Sequence, residues 1–295
     1  MSVPNETVDV VIDTDTYNEI DDQFAVSYLI RSNEKLITKA IYAAPFFNEL
    51  SSGPLDGMEK SYNEIQRLLK LLNRTDIPSF KGSQDYLKDE KTPVISDAAN
   101  DLIERAKNYS PKKPLYVVAI GAITNIASAL IIEPAIKDNI VVVWLGGHAH
   151  HFCDTKEFNL EQDIAAARVV MQSGTPFVQL PCIGVVSEFR ISKQELEHFL
   201  KGKNEISDYL ANTAISAADS YAKGTDWTRV LWDVTAVAWL LNDNDKFMLS
   251  KIINTILPDY NGNYEKDCIA IQSSYIYYIK RDELMNDLIK KLTKA

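Results

Sequence analysis

Val8-Asp9-Val10-Val11-Ile12 runs directly into Asp13-Thr14-Asp15-Thr16-Tyr17-Asn18-Glu19-Ile20-Asp21-Asp22, so an apolar β-branched segment ends in five carboxylates within ten residues. The apolar half reads as a buried strand over Val8 to Ile12. Beyond the acidic stretch, Phe24, Ala25, Tyr28 and Leu29 fall at helical spacing, which predicts a helix over Ile20 to Leu29. The first unit is therefore strand, acidic loop, helix. Capping and the helix dipole account for Asp21 or Asp22 at a helix start. They do not account for Asp13 and Asp15, which leave a buried strand side by side although like charges repel. Crowding of this kind calls for a cation, and an all-oxygen donor set selects calcium or magnesium over zinc.

The same alternation continues along the chain. Strands are expected over Ile37 to Ala44, Leu115 to Ile120, Ile140 to Leu145 and Thr175 to Leu180. Helices are expected over Met58 to Leu72, Ser96 to Ala106 with Ser96 as N-cap, and Asn125 to Ile132. Pro45 to Gly57 reads as a loop and Pro78 to Pro93 as mostly loop. Short apolar strands alternating with helices predict an α/β fold, a mostly parallel sheet flanked by helices. No linker, repeat or low-complexity tract divides residues 1–295, so a single domain is expected. Ligands of such sheets bind at the carboxyl ends of the strands, which directs attention to the residues just past each strand.

Composition limits the partners. A net charge of -10 disfavours a nucleic-acid backbone or an anionic membrane. The three cysteines, Cys153, Cys182 and Cys268, are odd in number and never form a C-x-x-C pair, which suits a reducing compartment. No signal peptide and no apolar run of membrane-spanning length is visible, and a cytoplasmic location is expected.

Four blocks in order carry a resemblance: Asp13-x-Asp15 leading to Asp21-Asp22; Gly121-Ala122-Ile123-Thr124-Asn125; Glu157-Phe158-Asn159 with Asp163 and Ala165-Ala166 behind it; and Trp232-Asp233. Together they resemble the inosine–uridine-preferring nucleoside hydrolases, as a divergent branch. The resemblance implies a nucleoside hydrolase-like, Rossmann-related fold, and calcium-dependent hydrolysis of the N-glycosidic bond of a ribonucleoside or related ribosyl compound. It implies that Asp15 ligates Ca2+ and takes a proton from the attacking water. Asp22 would bind the ion through both oxygens, Asp233 would be a further ligand, and Thr124 would add its backbone carbonyl. Asp21 would hold ribose hydroxyls, Glu157 and Asn159 would grip the rest of the sugar, and Asp13 would orient its neighbours. A homodimer or homotetramer is implied as well.

The chain departs from the family pattern in three places. Five residues, Thr16 to Ile20, separate Asp15 from the aspartate pair where the family has three; the added Asn18 and Glu19 are expected near the sugar or at the mouth. Asn48 is the candidate for the family's ribose-facing Asn, after a one-residue shift. Trp232 replaces the family's leaving-group His, and either stacks on the base or packs in the core. The His148-Ala149-His150-His151 stretch offers replacement acids, with His151 aligned to a family Asn at the sugar's 5′ end; His198 reads as a surface residue. Tyr221, Trp227 and Arg229 surround Gly224, where the family has a mobile segment over the base; a plain helix end with a Gly cap is the simpler explanation.

Two alternatives stay open on sequence. One is a metal-dependent ribosyl-binding protein without turnover. The other is a haloacid-dehalogenase-type phosphatase using Asp13 and Asp15, which lacks the late acidic pair that chemistry needs.

Overall fold

The computed structural model describes residues 3–222 and 224–294. In chain order the elements are β1 (Val8–Thr14), α1 (Asp21–Arg31), β2 (Leu36–Ala43), α2 (Pro54–Leu71), β3 (Ser79–Lys81), α3 (Asp97–Ala106), β4 (Leu115–Ala119) and α4 (Thr124–Ile132). These are followed by β5 (Ile140–Leu145), α5 (Phe158–Gln162), α6 (Ile164–Gln172), β6 (Phe177–Leu180) and β7 (Arg190–Ser192). Next come α7 (Lys193–Glu195), which continues into a π-helical turn, α8 (Glu205–Ala222), β8 (Thr228–Val230) and α9 (Val234–Trp239). The last elements are β9 (Met248–Pro258), β10 (Tyr264–Ile279) and α10 (Arg281–Leu292).

Eight strands form one sheet in the order β3-β2-β1-β4-β5-β6-β10-β9, and every neighbouring pair is parallel except β10 with β9. The chain first builds outward from β1 to β3 and then crosses to β4 on the other side. The strand order therefore reverses between β1 and β4, and their carboxyl ends splay helices to opposite faces. Both faces are covered. Val10 and Ile12 of β1, and Val141 and Val143 of β5, join the core with Phe24, Tyr28 and Trp239. Val11, Val142 and Trp144 point into the opposite core with Leu102, Ile126 and Phe177. That two-sided burial is why these strands read as unbroken apolar runs.

The strands and helices expected from sequence are present, most of them with shifted ends. β1 extends two residues past Ile12, so Asp13 belongs to the sheet and pairs in register with Tyr42 and Ala119. Helix α2 starts at Pro54, four residues before Met58. Leu55 in its first turn is exposed and adds nothing to the apolar period, but Pro at the helix start and Asp56 in the first turn are start signals. Ser96 does cap α3, accepting from the Ala99 amide at 3.1 Å, and its hydroxyl also donates to Asn125 at 3.3 Å. Ser96→Ala is expected to cost about 1 kcal/mol. A melting curve should then fall by roughly 2–4 °C; an unchanged Tm would show that the cap is idle. Gly224, at φ +84°, lies just past the last residue of α8, where a left-handed residue ends a helix. Lys223 lies outside the described residues.

Candidate active site

A cavity of about 240 Å3 opens at the carboxyl ends of β1, β4, β5 and β6, at the point where the strand order reverses. Six carboxylates border it: Asp15, Glu19, Asp21, Asp22, Glu157 and Asp233. Asp21 and Asp22 form the first turn of α1, Glu157 caps α5 and Asp233 precedes α9. Three helix N-termini thus aim their positive ends at one acidic cluster, which offsets part of its repulsion.

Asp15 is fully buried, and neither of its carboxylate oxygens has a hydrogen-bond partner. Burial raises its pKa well above the ordinary value, and the charges of Asp22, Asp21 and Asp13 add to this. Gly121 is required beside it, since a Cβ there would stand 2.9 Å from Asp15 Oδ1 and 3.1 Å from Ala44 Cβ. Asp22 accepts from the Thr14 hydroxyl at 2.5 Å, and burial still pushes its pKa up to about 7. Asp233 donates its backbone amide to Asp21 Oδ2 at 3.2 Å. Burial raises Asp21 and Asp233 as well, and their neighbours' charges raise them further. One oxygen from each of Asp21, Asp22 and Asp233 lies within 4.8 Å of the others.

This arrangement fits a hard divalent cation. Buried like charges at such spacing are costly without a counter-ion, and every donor is oxygen. The three carboxylates that meet include Asp21, which the resemblance assigns to the sugar. Asp15 joins the same cluster electrostatically rather than by that distance. Thr124 is buried at the start of α4, and its hydroxyl donates to Asp163 Oδ2 at 2.7 Å.

Behind the cluster, Asp13 accepts from Asn125 Nδ2 at 2.7 Å through one oxygen while the other has no partner. Burial pushes it up to about 7. Asn125 also donates to the Ala43 carbonyl and accepts from the Ser83 amide, so it ties Asp13 to β2 and to the loop after β3. Glu157 accepts from the amides of Gly147, Asn159 and Leu160 at 2.9–3.0 Å. Asn159 donates to the carbonyls of Ile120 and Leu145, which fastens the ends of β4 and β5 together on the cavity wall.

The candidates from sequence divide by position. Asp15, Asp21, Asp22, Glu157, Asn159, Trp232 and Asp233 all border the cavity, together with the inserted Asn18 and Glu19. Trp232 is half-buried and packs on the adjacent core as well as bordering the cavity. Asn48 reaches the cavity through Asn18, donating to its Oδ1 at 2.6 Å. Tyr221 is exposed and accepts from Arg229 at 2.7 Å; Arg229 in turn pairs with Glu19 at 3.2 Å. His151 is exposed and borders a separate surface depression with Lys251 and Tyr277. His148 borders the main cavity, as do Cys182 and Ile183 after β6. No motif singles out Cys182 and Ile183, although the rule of looking just past each strand, applied to β6, finds them.

The family model described as inosine-uridine preferring nucleoside hydrolase matches residues 10–261. The chain belongs to this family. Its curated relatives include the pyrimidine-specific ribonucleoside hydrolase RihA of Escherichia coli O1:K1, 28% identical over 285 residues, covering 87% of this chain and 86% of the relative. Among solved structures, the purine-preferring ribonucleoside hydrolase from Gardnerella vaginalis matches with a TM-score of 0.75 at 20% identity, over 97% of this chain and 98% of that one. A plant nucleoside hydrolase, PpNRh1, matches with a TM-score of 0.77 at 17% identity, over 98% and 99%. This member of the nucleoside hydrolases is accordingly an N-ribosyl hydrolase, and the phosphatase alternative is set aside. Among its described residues no helix is long and apolar enough to cross a membrane.

Proposed function

We propose that this nucleoside hydrolase requires calcium and uses Asp15 as the base that takes a proton from the attacking water. The observation that carries the reading is Asp15 itself, a buried carboxylate with two unpartnered oxygens facing a cavity that Asp21, Asp22 and Asp233 also border. In this reading Asp15, Asp22, Asp233 and the Thr124 carbonyl hold the ion. When bound, calcium supplies a fixed position and a lowered pKa for the nucleophilic water, and an anchor for two ribose hydroxyls.

The residues of the chain do the rest. Asp21 accepts from ribose hydroxyls, and Glu157 and Asn159 brace the far side of the sugar. The negative cluster stabilises the oxocarbenium character that develops at C1′ as the glycosidic bond stretches. Asp13, held by Asn125, keeps its neighbours in place. Asn48, Trp232 and Tyr221 belong to the outer part of the same reading, whereas His151 lies apart from it, beside the separate depression. Trp232 is placed on the cavity wall to stack on the base, and Tyr221 acts through Arg229 and Glu19. Assembly as a homodimer or homotetramer and a cytoplasmic location complete the reading.

The test is reducing-sugar release from a panel of purine and pyrimidine ribonucleosides, with calcium and with chelator. Release that stops on chelation and returns with calcium is expected, and it names the preferred base class. Equal rates with chelator would overturn the calcium requirement. Nucleoside binding with no sugar released from any panel member would favour a binding protein without turnover.

A further inference from the structure

Three histidines follow β5 within four residues, and the fold sends them to three different places. His150 is wedged between the rings of Tyr264 and Tyr275, at centroid distances of 4.6 and 4.5 Å, and its amide donates to the Tyr275 hydroxyl. Burial pulls its pKa down to about 4, so it stays neutral near pH 7. His151 is exposed beside the separate depression. His148 is the one of the three that borders the acidic cavity.

His148 is also held firmly. Its amide donates to the Thr155 hydroxyl at 3.2 Å and its carbonyl accepts from the Tyr264 hydroxyl at 2.6 Å. The residue before it, Gly147, is fixed at φ +75° with its amide on Glu157. The imidazole is half-buried, its Nδ1 is buried without a hydrogen-bond partner, and its ring lies 6.1 Å from that of Phe152; burial lowers its pKa, and the charges of Asp154 and Glu161 oppose that shift. Apolar Ile183 and Trp232 border the same cavity and suit a flat heterocycle.

The other groups on that wall are poor proton donors to a departing base. The aspartates cluster around the proposed ion, and Glu157 is occupied by three amides. Cys182 is buried, and burial keeps its thiol protonated well above the ordinary range. The Trp232 indole N–H can donate a hydrogen bond but does not give up its proton. Glu19 is exposed and pairs with Arg229 at 3.2 Å, and Lys156 is exposed to water.

We propose that His148 is the catalytic acid for the leaving group, protonating the base as it departs. The proposal rests on the N-ribosyl hydrolase reading and deepens it. As the C1′–N bond breaks, its electron pair passes to the base, and the imidazolium of His148 delivers a proton to a ring nitrogen or conjugated carbonyl oxygen of that base. The water oxygen bonds to C1′ and its proton passes to Asp15. Ribose and the neutral base leave, Asp15 sheds its proton to solvent, and His148 takes one back.

The test compares two substrates in H148A and H148Q: the best-cleaved natural ribonucleoside, and 4-nitrophenyl β-D-ribofuranoside, whose leaving group departs as a stable anion. With an acid at this position, kcat on the nucleoside falls roughly 10²-fold or more in both variants. On the nitrophenyl riboside it stays within about threefold of wild type, because that bond needs no proton. Comparable loss on both substrates in H148Q, which keeps the bulk and polarity of the site, would make His148 a structural residue and overturn the proposal. Loss on neither would also overturn it. Wild-type inactivity on both substrates would instead overturn the hydrolase reading, and the proposal with it.

Discussion

Asp15→Asn is expected to lower kcat/KM on the best ribonucleoside by about 10³-fold or more. A positioned general base contributes on the order of 10² to 10⁴ by itself. The same substitution removes one anionic oxygen from the ion's surroundings, so calcium affinity should weaken as well. Asparagine keeps the shape of the side chain, but its amide cannot accept the proton of the attacking water. The loss should not come from unfolding. Asp15 sits fully buried with no hydrogen bond to lose, and its charge is opposed by Asp22, Asp21 and Asp13. Neutralising it relieves repulsion, so the chelated variant should melt no lower than chelated wild type. Steady-state kinetics, calcium titration calorimetry and thermal melts together decide the matter. A variant within tenfold of wild-type kcat/KM would remove Asp15 from the role of base.

The central sheet was legible because its strands are buried on both faces. Val10 to Ile12 of β1 and the whole of β4 and β5 are apolar or aromatic, and β5 has the bounds expected of it, Ile140 to Leu145. The acidic half of the site was legible for a related reason. A carboxylate emerging from such a strand has no innocent explanation, so Asp13 and Asp15 announced themselves. The last two strands were not seen. β9 and β10 form a long antiparallel ribbon that pairs with β6 through Ser274 and Tyr275, and much of it is open to solvent. Lys251, Asn254, Lys266 and Asp267 interrupt its apolar residues, and no single-face alternation survives. The histidine wall of the cavity was hidden differently. Three neighbouring histidines are alike in one dimension, and only the turn at Gly146-Gly147 and the Tyr264 and Tyr275 rings separate them. Gly146 makes that turn because a Cβ there would strike the Trp144 ring at 2.4 Å.

Stripping the protein with a chelator is expected to reverse the usual dependence of stability on pH. Asp13 and Asp22 are held by burial at about 7 in the folded chain, against 3.8 for the ordinary carboxyl. A folded-state pKa raised in this way means that the native chain binds protons which the unfolded chain has released. The contribution of these carboxyls to stability is therefore fully present below about pH 4 and is lost as pH rises through about 7, above which the penalty is complete. One such carboxyl corresponds to about 4 kcal/mol; the cluster will give less than the sum, because its members share protons and repulsion. A divalent cation acts in the opposite sense, since it binds the ionised carboxylates that the bare fold resists. Calcium at about 100 times its Kd should return about 2.7 kcal/mol. At pH 8 that raises Tm by roughly 5–10 °C. Asp22→Asn separates the two effects. The carboxamide it introduces can still accept from the Thr14 hydroxyl, so the chelated variant should melt higher than chelated wild type at pH 8, while its response to calcium largely disappears. If chelated wild type were instead more stable at pH 8 than at pH 5, the carboxylates would not be bearing the burial cost that the geometry implies. A full calcium response in Asp22→Asn would place the ion elsewhere.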